Sequence, residues 1–579
     1  MTRELKSIMA LMGLIAMSLS WLIPNKAYPW LPAWNEGLAF AAILMLWVAA
    51  AARTWKYPSL HSGIAWPLIV FVVLAVSVAW IQYGTGLLVF SGDAFMVSLY
   101  LSIYLIAIHV GSFMARQEEK EEWMTALLFT LVMSAIASIG IALVQWTQTW
   151  SLAVFFMESD MGDRPGANLG QINNFSTLCF IALCASLCLY SRSRLNIYVM
   201  LLAGCFLAFG MAITQSRTGW LQMAFIFAVL IFQKNDKNRN VFLFVFAIFV
   251  TWYFVVPLMG SKAFITADQN FRDLPMHDVR ITMWSALLEA VSMWPWFGYG
   301  WLQTGWAQQA TAESVPILRT YMSYSHNFIL DLIVWNGWPL AIIFAGLICL
   351  WFFRHLVYRG GSSEVFLYCL VAGVFIHGLL EYPLSYAYFL MPAGLVMGYL
   401  DGKRSIFKEY GSKLKLQVPW VMASAILYFA VCIDYVKSVS VDVAVRMQSA
   451  QIGRDIGLPD VRPEFLILSQ LKAMYDVRVM HDYEYESDKN ILLMARVARR
   501  YPYSPALYQY ALARAMRGEY AAAEKQLRVL CGIYSEAHCN TIEKRWENMQ
   551  KKYPESVGLV DFPSGLSKGF EEGFDEIKK

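Results

Sequence analysis

Apolar residues along this chain gather into thirteen runs, at about 5–23, 37–52, 63–83, 94–115, 123–146, 172–191, 196–213, 219–233, 241–258, 337–353, 364–382, 385–400 and 418–436. A helix needs roughly 20 residues to cross the hydrocarbon core of a bilayer, so each run predicts a membrane-spanning helix. The stretch 327–336 is too short to cross alone. It is either the start of the tenth span or a helix lying at the interface. The first run follows Arg3 and Lys6 as in a signal peptide, but no small-residue cleavage site comes after it. It therefore reads as a retained first span.

The loops set the direction. With the N-terminus in the cytoplasm, cytoplasmic loops carry Arg53/Lys56, Arg116/Lys120, Arg192/Arg194, Lys234/Lys237/Arg239, Arg354/Arg359 and Lys403/Arg404/Lys408/Lys413/Lys415. The opposite short loops carry only Lys26, Arg164 and Arg217. Positive residues stay inside, so thirteen crossings place the C-terminal tail in the periplasm of a Gram-negative-type inner membrane. Composition agrees. Only 15% of the 579 residues are charged, against about 25% in soluble domains. A formal charge of +4 with no separate basic tract argues against nucleic acid as a partner. The 30 Tyr, 36 Phe and 22 Trp suit interfacial belts facing membrane lipids.

The predicted fold is all-α and polytopic. It has N-terminal membrane helices over 1–146, a membrane core over 147–436 with a large periplasmic loop at 259–326, and a periplasmic helical tail over 437–579. In the tail, Ala511, Ala513, Gly518, Ala521 and Ala522 follow Pro502 and Pro505 in a tetratricopeptide-like rhythm. One such unit rarely buries its apolar face alone, which points to docking or to packing against the membrane domain. Seven cysteines lie in apolar segments and read as small buried hydrophobes. Cys531 and Cys539 lie in the tail and are placed to form a short-loop disulfide if it is periplasmic.

Candidate chemistry clusters at the periplasmic span ends. Arg217, in Ser216-Arg217-Thr218-Gly219-Trp220, either snorkels to lipid phosphates or serves as a bidentate phosphate ligand. Arg280 shares a face with Met283, Trp284 and Leu287 on an amphipathic stretch opened by Asp278, which should lie at the interface. The run Trp294 to Trp301 follows, with Gly298 and Gly300 allowing tight turns or close backbone approach. His326, in Tyr324-Ser325-His326-Asn327, and His277 are the histidines beside the membrane on this face. A histidine here serves as general base on a hydroxyl, or merely caps a helix. Asn168 to Asn174, with Gln171 and Asn174, offers amides for sugar or phosphate, or for capping. Glu381 and Tyr382 open the hairpin before Tyr388, and a carboxylate at a span end is costly unless paired or wet. His109, His377 and Asp434 lie within spans and read as structural. Glu158, Asp160 and Asp163 have the chemistry to hold a cation but read as a solvated loop.

No HExxH, Walker loop or Rossmann glycine pattern occurs. Neither does a periplasmic Asp-x-Asp nor a WWD-type signature, so a mechanism without metal or cofactor is expected. Arg217, Arg280 and His326, in this order and spacing, resemble the core of the O-antigen ligase and polymerase superfamily. The Asn168-Leu169-Gly170-Gln171 run and the Glu381-Tyr382-Pro383-Leu384 hairpin, with a helical tail after them, look like its PglL-type pilin O-linked oligosaccharyltransferases. Ile172 stands where that branch has a Pro after Leu-Gly-Gln. The resemblance covers about 150–560. It implies a glycosyltransferase taking an undecaprenyl-diphosphate-linked oligosaccharide as donor and Ser or Thr of a periplasmic pilin-like protein as acceptor. It carries Arg217, Arg280 and His326 into the active site, with Gln171, Asn174, Glu381 and Tyr382 as substrate-binding candidates. The alternative within the superfamily is an O-antigen ligase or polymerase with a glycolipid acceptor. A transporter would instead place ionisable groups deep in broken spans.

Overall fold

The computed structural model describes residues 3–54, 62–116, 120–147, 157, 164–231, 237–263, 276–315, 320–357, 361–404, 409–412, 414–449, 464–480 and 487–563. Its helices are α1 (Arg3–Leu22), α2 (Ala33–Thr54), α3 (Trp66–Gly84), α4 (Ser91–Arg116), α5 (Lys120–Thr147), α6 (Ile172–Ser191), α7 (Ile197–Ile213), α8 (Arg217–Ile231), α9 (Lys237–Ala263), α10 (Met276–Met293), α11 (Thr304–Ala310), α12 (Phe328–Val357), α13 (Ser362–Gly378), α14 (Ala387–Arg404) and α15 (Leu414–Ser449). The tail adds α16 (Ser469–Arg478), α17 (Asp488–Arg500), α18 (Ser504–Met516), α19 (Tyr520–Ile533) and α20 (Glu536–Lys552). Among the described residues, eight helices are long and apolar enough to cross a membrane, and four shorter apolar helices accompany them. The chain is a polytopic, helical membrane protein.

One feature had no trace in the hydropathy pattern. Strands β1 (Ser62–Ala65) and β2 (Glu409–Ser412) pair antiparallel, Gly63 opposite Gly411. The pairing puts the α2–α3 and α14–α15 connections at the same end, as alternate crossings require.

A proline inside a helix lacks the N–H that would satisfy the carbonyl four residues earlier. In lipid such a carbonyl must find another donor. Three of the intrahelical prolines show how this is met. Pro257 frees the Tyr253 carbonyl, and Gln215 Nε2 donates to it at 3.0 Å. Pro392 frees that of Tyr388, which accepts from Trp21 Nε1 at 2.9 Å. Pro339 frees that of Trp335, which accepts from Gln82 Nε2 at 3.0 Å and Gly300 N at 2.9 Å. Each helix irregularity thus becomes a tertiary contact.

The described contacts group the chain into two compact units, interleaved along the sequence. The first comprises 1–74, 98–274 and 346–435. Its α6 is the most enclosed span, 89% buried, and packs against α5, α7, α8 and α13. Small residues such as Ala182, Cys184 and Ala185 allow that close approach. The free cysteines 179, 184, 188 and 369 are buried, as expected of small hydrophobes, while Cys349 is exposed.

The second unit comprises 75–97, 275–345 and 436–579. Element α12 is two helices that meet end to end at a kink, where Gly337 is non-helical (φ 74°, ψ 171°). The segment 328–336 forms the first of them. The 295–300 loop fills the break: Tyr299 N donates to Val334 O at 2.7 Å, and Trp338 N to Pro295 O at 2.9 Å. A Cβ on Gly298 would stand 2.6 Å from Gly337 N, and one on Gly337 2.5 Å from Trp296 carbonyl C. Both glycines are required by this approach, and both have positive φ.

The tail helices α16 to α20 stack in sequence around Met494, Leu512, Leu527 and Trp546. They do not stand alone. Arg500 makes a bidentate pair with Asp93 at 2.9 and 3.0 Å, nearly out of solvent. Arg499 lies 3.4 Å from the centre of the Trp306 ring and donates to Leu87 O. Gln309 Nε2 donates to Ala498 O at 3.0 Å. The expected packing of the tail against membrane-domain elements is therefore present. Cys531 and Cys539 are disulfide-bonded, joining α19 to α20.

Candidate functional site

The first group of functional side chains belongs to the first unit and is built on two neighbouring helix starts. Asn173, in the first turn of α6, accepts a hydrogen bond from Ser216 Oγ at 2.7 Å. Ser216 immediately precedes α8, and its Oγ also accepts from Gly219 N at 3.4 Å. The positive ends of two helix dipoles are thereby held side by side, an arrangement that attracts anions. Arg217 is the first residue of α8 and is exposed. The turn carrying it is fixed by Gln215, which adopts φ 49° and bonds through Nε2 to Ala212 O at 2.9 Å and to Tyr253 O. Arg164 Nη1 donates to the Gln215 carbonyl at 3.3 Å.

The Glu381–Tyr388 hairpin packs on the same helix start. Glu381 is buried, and its carboxylate accepts from Asn173 Nδ2 at 3.1 Å and from Gln171 Nε2 at a longer 3.5 Å. Asn173 thus bridges Ser216 and Glu381. Burial raises the Tyr382 phenol above its ordinary range; the Tyr386 hydrogen bond opposes this and the Glu381 charge adds to it. Tyr382 therefore stays a neutral donor suited to a sugar or phosphate oxygen. Tyr382, Tyr386 and Tyr388 form a ladder with centroid separations of 5.6 and 5.0 Å. Asn174 is fully buried and donates to Tyr388 Oη at 3.2 Å. One layer deeper, Gln222 Nε2 donates to Thr177 Oγ1 and to Gly373 O, both at 2.9 Å. Thr177 Oγ1 also meets His377 Nδ1 at 2.9 Å, which gives His377 a place in a structural network.

Glu36 was not foreseen. It lies in the first turn of α2, buried, and accepts from Tyr100 Oη and from Ala387 N at 3.4 Å. It holds the start of the helix that bears Tyr388. A lone acid at the edge of an apolar run was the signal available in the sequence.

The second group belongs to the second unit. Trp284 Nε1 on α10 donates to Ser325 O at 2.8 Å. Ser325 N donates to Asp331 Oδ1 at 2.8 Å, and Ser325 Oγ to Asn327 O at 2.7 Å. Asn327 Oδ1 accepts from Ile329 N and Leu330 N at 3.0 and 3.2 Å, capping α12. His326 is pinned between these locked neighbours, half-buried, at φ 57°. Histidine tolerates this left-handed region better than most residues, and such outliers concentrate at functional sites. Arg280 lies one helical turn before Trp284 and is half-buried; Met283 and Leu287 on its face are buried. The predicted amphipathic face is present.

Gln171, Asn174, Arg217, Glu381 and Tyr382 thus share the first unit, and Arg280 and His326 the second. Glu158, Asp160 and Asp163, His481, the loop 264–275 and the side chain of His277 lie outside the described residues.

Comparison with known proteins gives the class, a membrane glycosyltransferase. Residues 202–345 match the family described as O-antigen ligase, and residues 365–548 the family described as virulence factor membrane-bound polymerase, C-terminal. These two matches support a place in the O-antigen ligase superfamily. A general O-oligosaccharyltransferase of Acinetobacter baylyi is 29% identical over 413 residues, 69% of this chain and 71% of its own length. A ComP-specific O-oligosaccharyltransferase of the same organism is 28% identical over 515 residues, 88% of this chain and 92% of its own. These relatives support a PglL-type O-oligosaccharyltransferase of that superfamily, an enzyme of O-linked oligosaccharyl transfer.

Proposed function

We propose that the enzyme moves an oligosaccharide en bloc from undecaprenyl diphosphate to Ser or Thr of a periplasmic pilin-like protein, without metal and with inversion at the anomeric carbon. The observation that carries this reading is the exposed Arg217 at the joined starts of α6 and α8. In this reading Arg217 and Arg280 bind the donor diphosphate. Their guanidinium groups offset the charge that grows as the sugar–phosphate bond breaks. The acceptor oxygen attacks C1 from the opposite face, its proton passes to His326, and the polyprenyl diphosphate leaves. Gln171, Asn174, Glu381 and Tyr382 line the donor site, with Glu381 accepting from Gln171 and Asn174 donating to Tyr388. The proposed topology is thirteen spans in the inner membrane, N-terminus inside, with catalytic residues and tail in the periplasm. The tail disulfide supports that compartment, since disulfides persist in oxidising spaces.

A second reading, transfer to a glycolipid, draws on the ligase and polymerase descriptions of the matching families. Purified enzyme in proteoliposomes separates the two. It would be given an undecaprenyl diphosphate glycan, a pilin-like protein and lipid A core, with and without chelator. Glycan on the protein regardless of chelator supports the proposal. Glycan on lipid A core alone supports the second reading, and loss on chelation removes the metal-free mechanism.

A further inference from the structure

Asp331, in the first turn of α12, is buried at 3% exposure and straddles His326. Its Oδ1 accepts from Ser325 N at 2.8 Å, and its own backbone N donates to Asn327 O at 2.9 Å. It therefore bonds the residue on each side of His326. Trp284 on α10 closes the Ser325 carbonyl at 2.8 Å. His326 is carried between these fixed neighbours at φ 57°. A side chain keeps a conformation of that kind only where its surroundings enforce it.

A buried carboxylate is an expensive way to hold one amide N–H. An asparagine oxygen would accept the same bond without a charge being taken out of water. The charge of Asp331 therefore needs a counterpart. Of the charged groups around it, His326 is the one whose charge acts on it. In the reading given above, His326 becomes positive when it takes the acceptor proton. A fixed negative charge nearby stabilises that imidazolium without rearranging, and does so more strongly where water is excluded. A base oriented by a third group is also the arrangement that activates hydroxyl nucleophiles in general.

We propose that Asp331 is a positioning residue for His326: it locks the turn that presents the imidazole and supplies the negative charge that the imidazolium meets. This rests on the reading of His326 as general base. In the step, the acceptor oxygen bonds to the sugar C1 as the bond from C1 to the diphosphate oxygen breaks. The electron pair of that bond leaves with the polyprenyl diphosphate. The acceptor proton passes to His326 and stops there.

The test compares full-length wild type, Asp331→Asn, Asp331→Ala and His326→Ala in proteoliposomes. Each is given an undecaprenyl diphosphate-linked glycan with a pilin-like protein and lipid A core, so the comparison holds for either acceptor. Asp331→Asn keeps an oxygen for Ser325 N and drops the charge. We expect its kcat to fall about 10- to 100-fold, the effect of one nearby charge at reduced dielectric. Both KM values and the melting midpoint should stay near wild type. The solvent deuterium isotope effect on kcat should rise, because proton transfer is the step that slows; a merely structural residue would not move it. Asp331→Ala also loses the lock and should fall further, with a lower melting midpoint. Should it fail to fold, Asp331→Asn carries the test. Loss of transfer in His326→Ala with wild-type kcat and isotope effect in Asp331→Asn would overturn the proposal alone. Full transfer by His326→Ala would remove the general base, and the proposal with it.

Discussion

Ser216 donates to Asn173 at 2.7 Å, and this one bond fastens the start of α8 to the start of α6. Asn173 in turn donates to Glu381 at 3.1 Å, so a single amide ties three elements around Arg217 and Tyr382. A neutral amide accepts at its oxygen and donates at its nitrogen, which is what these two partners require. Asn173→Asp should therefore be worse than its size suggests, because it sets a second carboxylate against Glu381. We expect transfer to fall about 10- to 100-fold in Asn173→Ala, the cost of a hydrogen bond to a charged group, and further in Asn173→Asp. Initial rates at matched membrane levels would show this. Asp equal to wild type would remove Asn173 from this role.

Arg217 is exposed and holds no structural position that its loss should disturb. Arg217→Ala should leave the melting midpoint near wild type and lower transfer about 100- to 1000-fold, as loss of a preorganised charge donor does. Arg217→Lys should recover part of this, since Lys supplies a point charge without the bidentate fork. Thermal melting and transfer rate on the same preparations separate the two effects.

Gln215 and Pro257 should be coupled. Gln215→Leu leaves the Tyr253 carbonyl without its donor, at a cost of about 1–3 kcal/mol. Pro257→Ala restores a backbone N–H to that carbonyl, so the same substitution should cost less in that background. A double-mutant cycle read by denaturation in detergent would give a coupling of at least about 0.5 kcal/mol. Purely additive costs would contradict the pairing.

The Arg500–Asp93 pair should decide whether the tail stays docked. Removing one partner of a buried pair costs about 3–5 kcal/mol. Arg500→Gln should therefore expose α16 to α20 to limited proteolysis that the wild type resists. An unchanged cleavage pattern would show the pair to be dispensable.

Glu36→Gln keeps an acceptor for Ala387 N and Tyr100 and should retain most activity. Glu36→Ala leaves both donors unmatched and should lower kcat about tenfold or more, with the donor KM moving less. Equal loss in both variants would point to the charge itself.

The apolar helices were legible because each rests on local pattern, an apolar run that marks it. The candidates Arg217 and His326 stood out only as short motifs beside such runs. What stayed hidden depends on pairing across long separations. Pro257 signals a freed carbonyl on Tyr253, but nothing local says that Gln215 answers it from 38 residues earlier along the chain. The β1–β2 ladder joins residues over 340 apart in regions without strand pattern. Glu36 lay just outside an apolar run, and its tie to α14 exists only in the folded chain. The helical character of the tail was visible around Pro502, whereas the Arg500–Asp93 contact was not.

The most direct test is intact-protein mass spectrometry of a pilin-like acceptor co-expressed with this enzyme and a lipid-linked glycan pathway, in a Gram-negative host lacking its own ligase. Wild type would be compared with His326→Ala at equal membrane levels. We expect the acceptor to gain one glycan mass with wild type and none with His326→Ala. An unmodified acceptor alongside an extended lipopolysaccharide ladder would contradict protein transfer, and an equal gain with both would remove His326 from the chemistry.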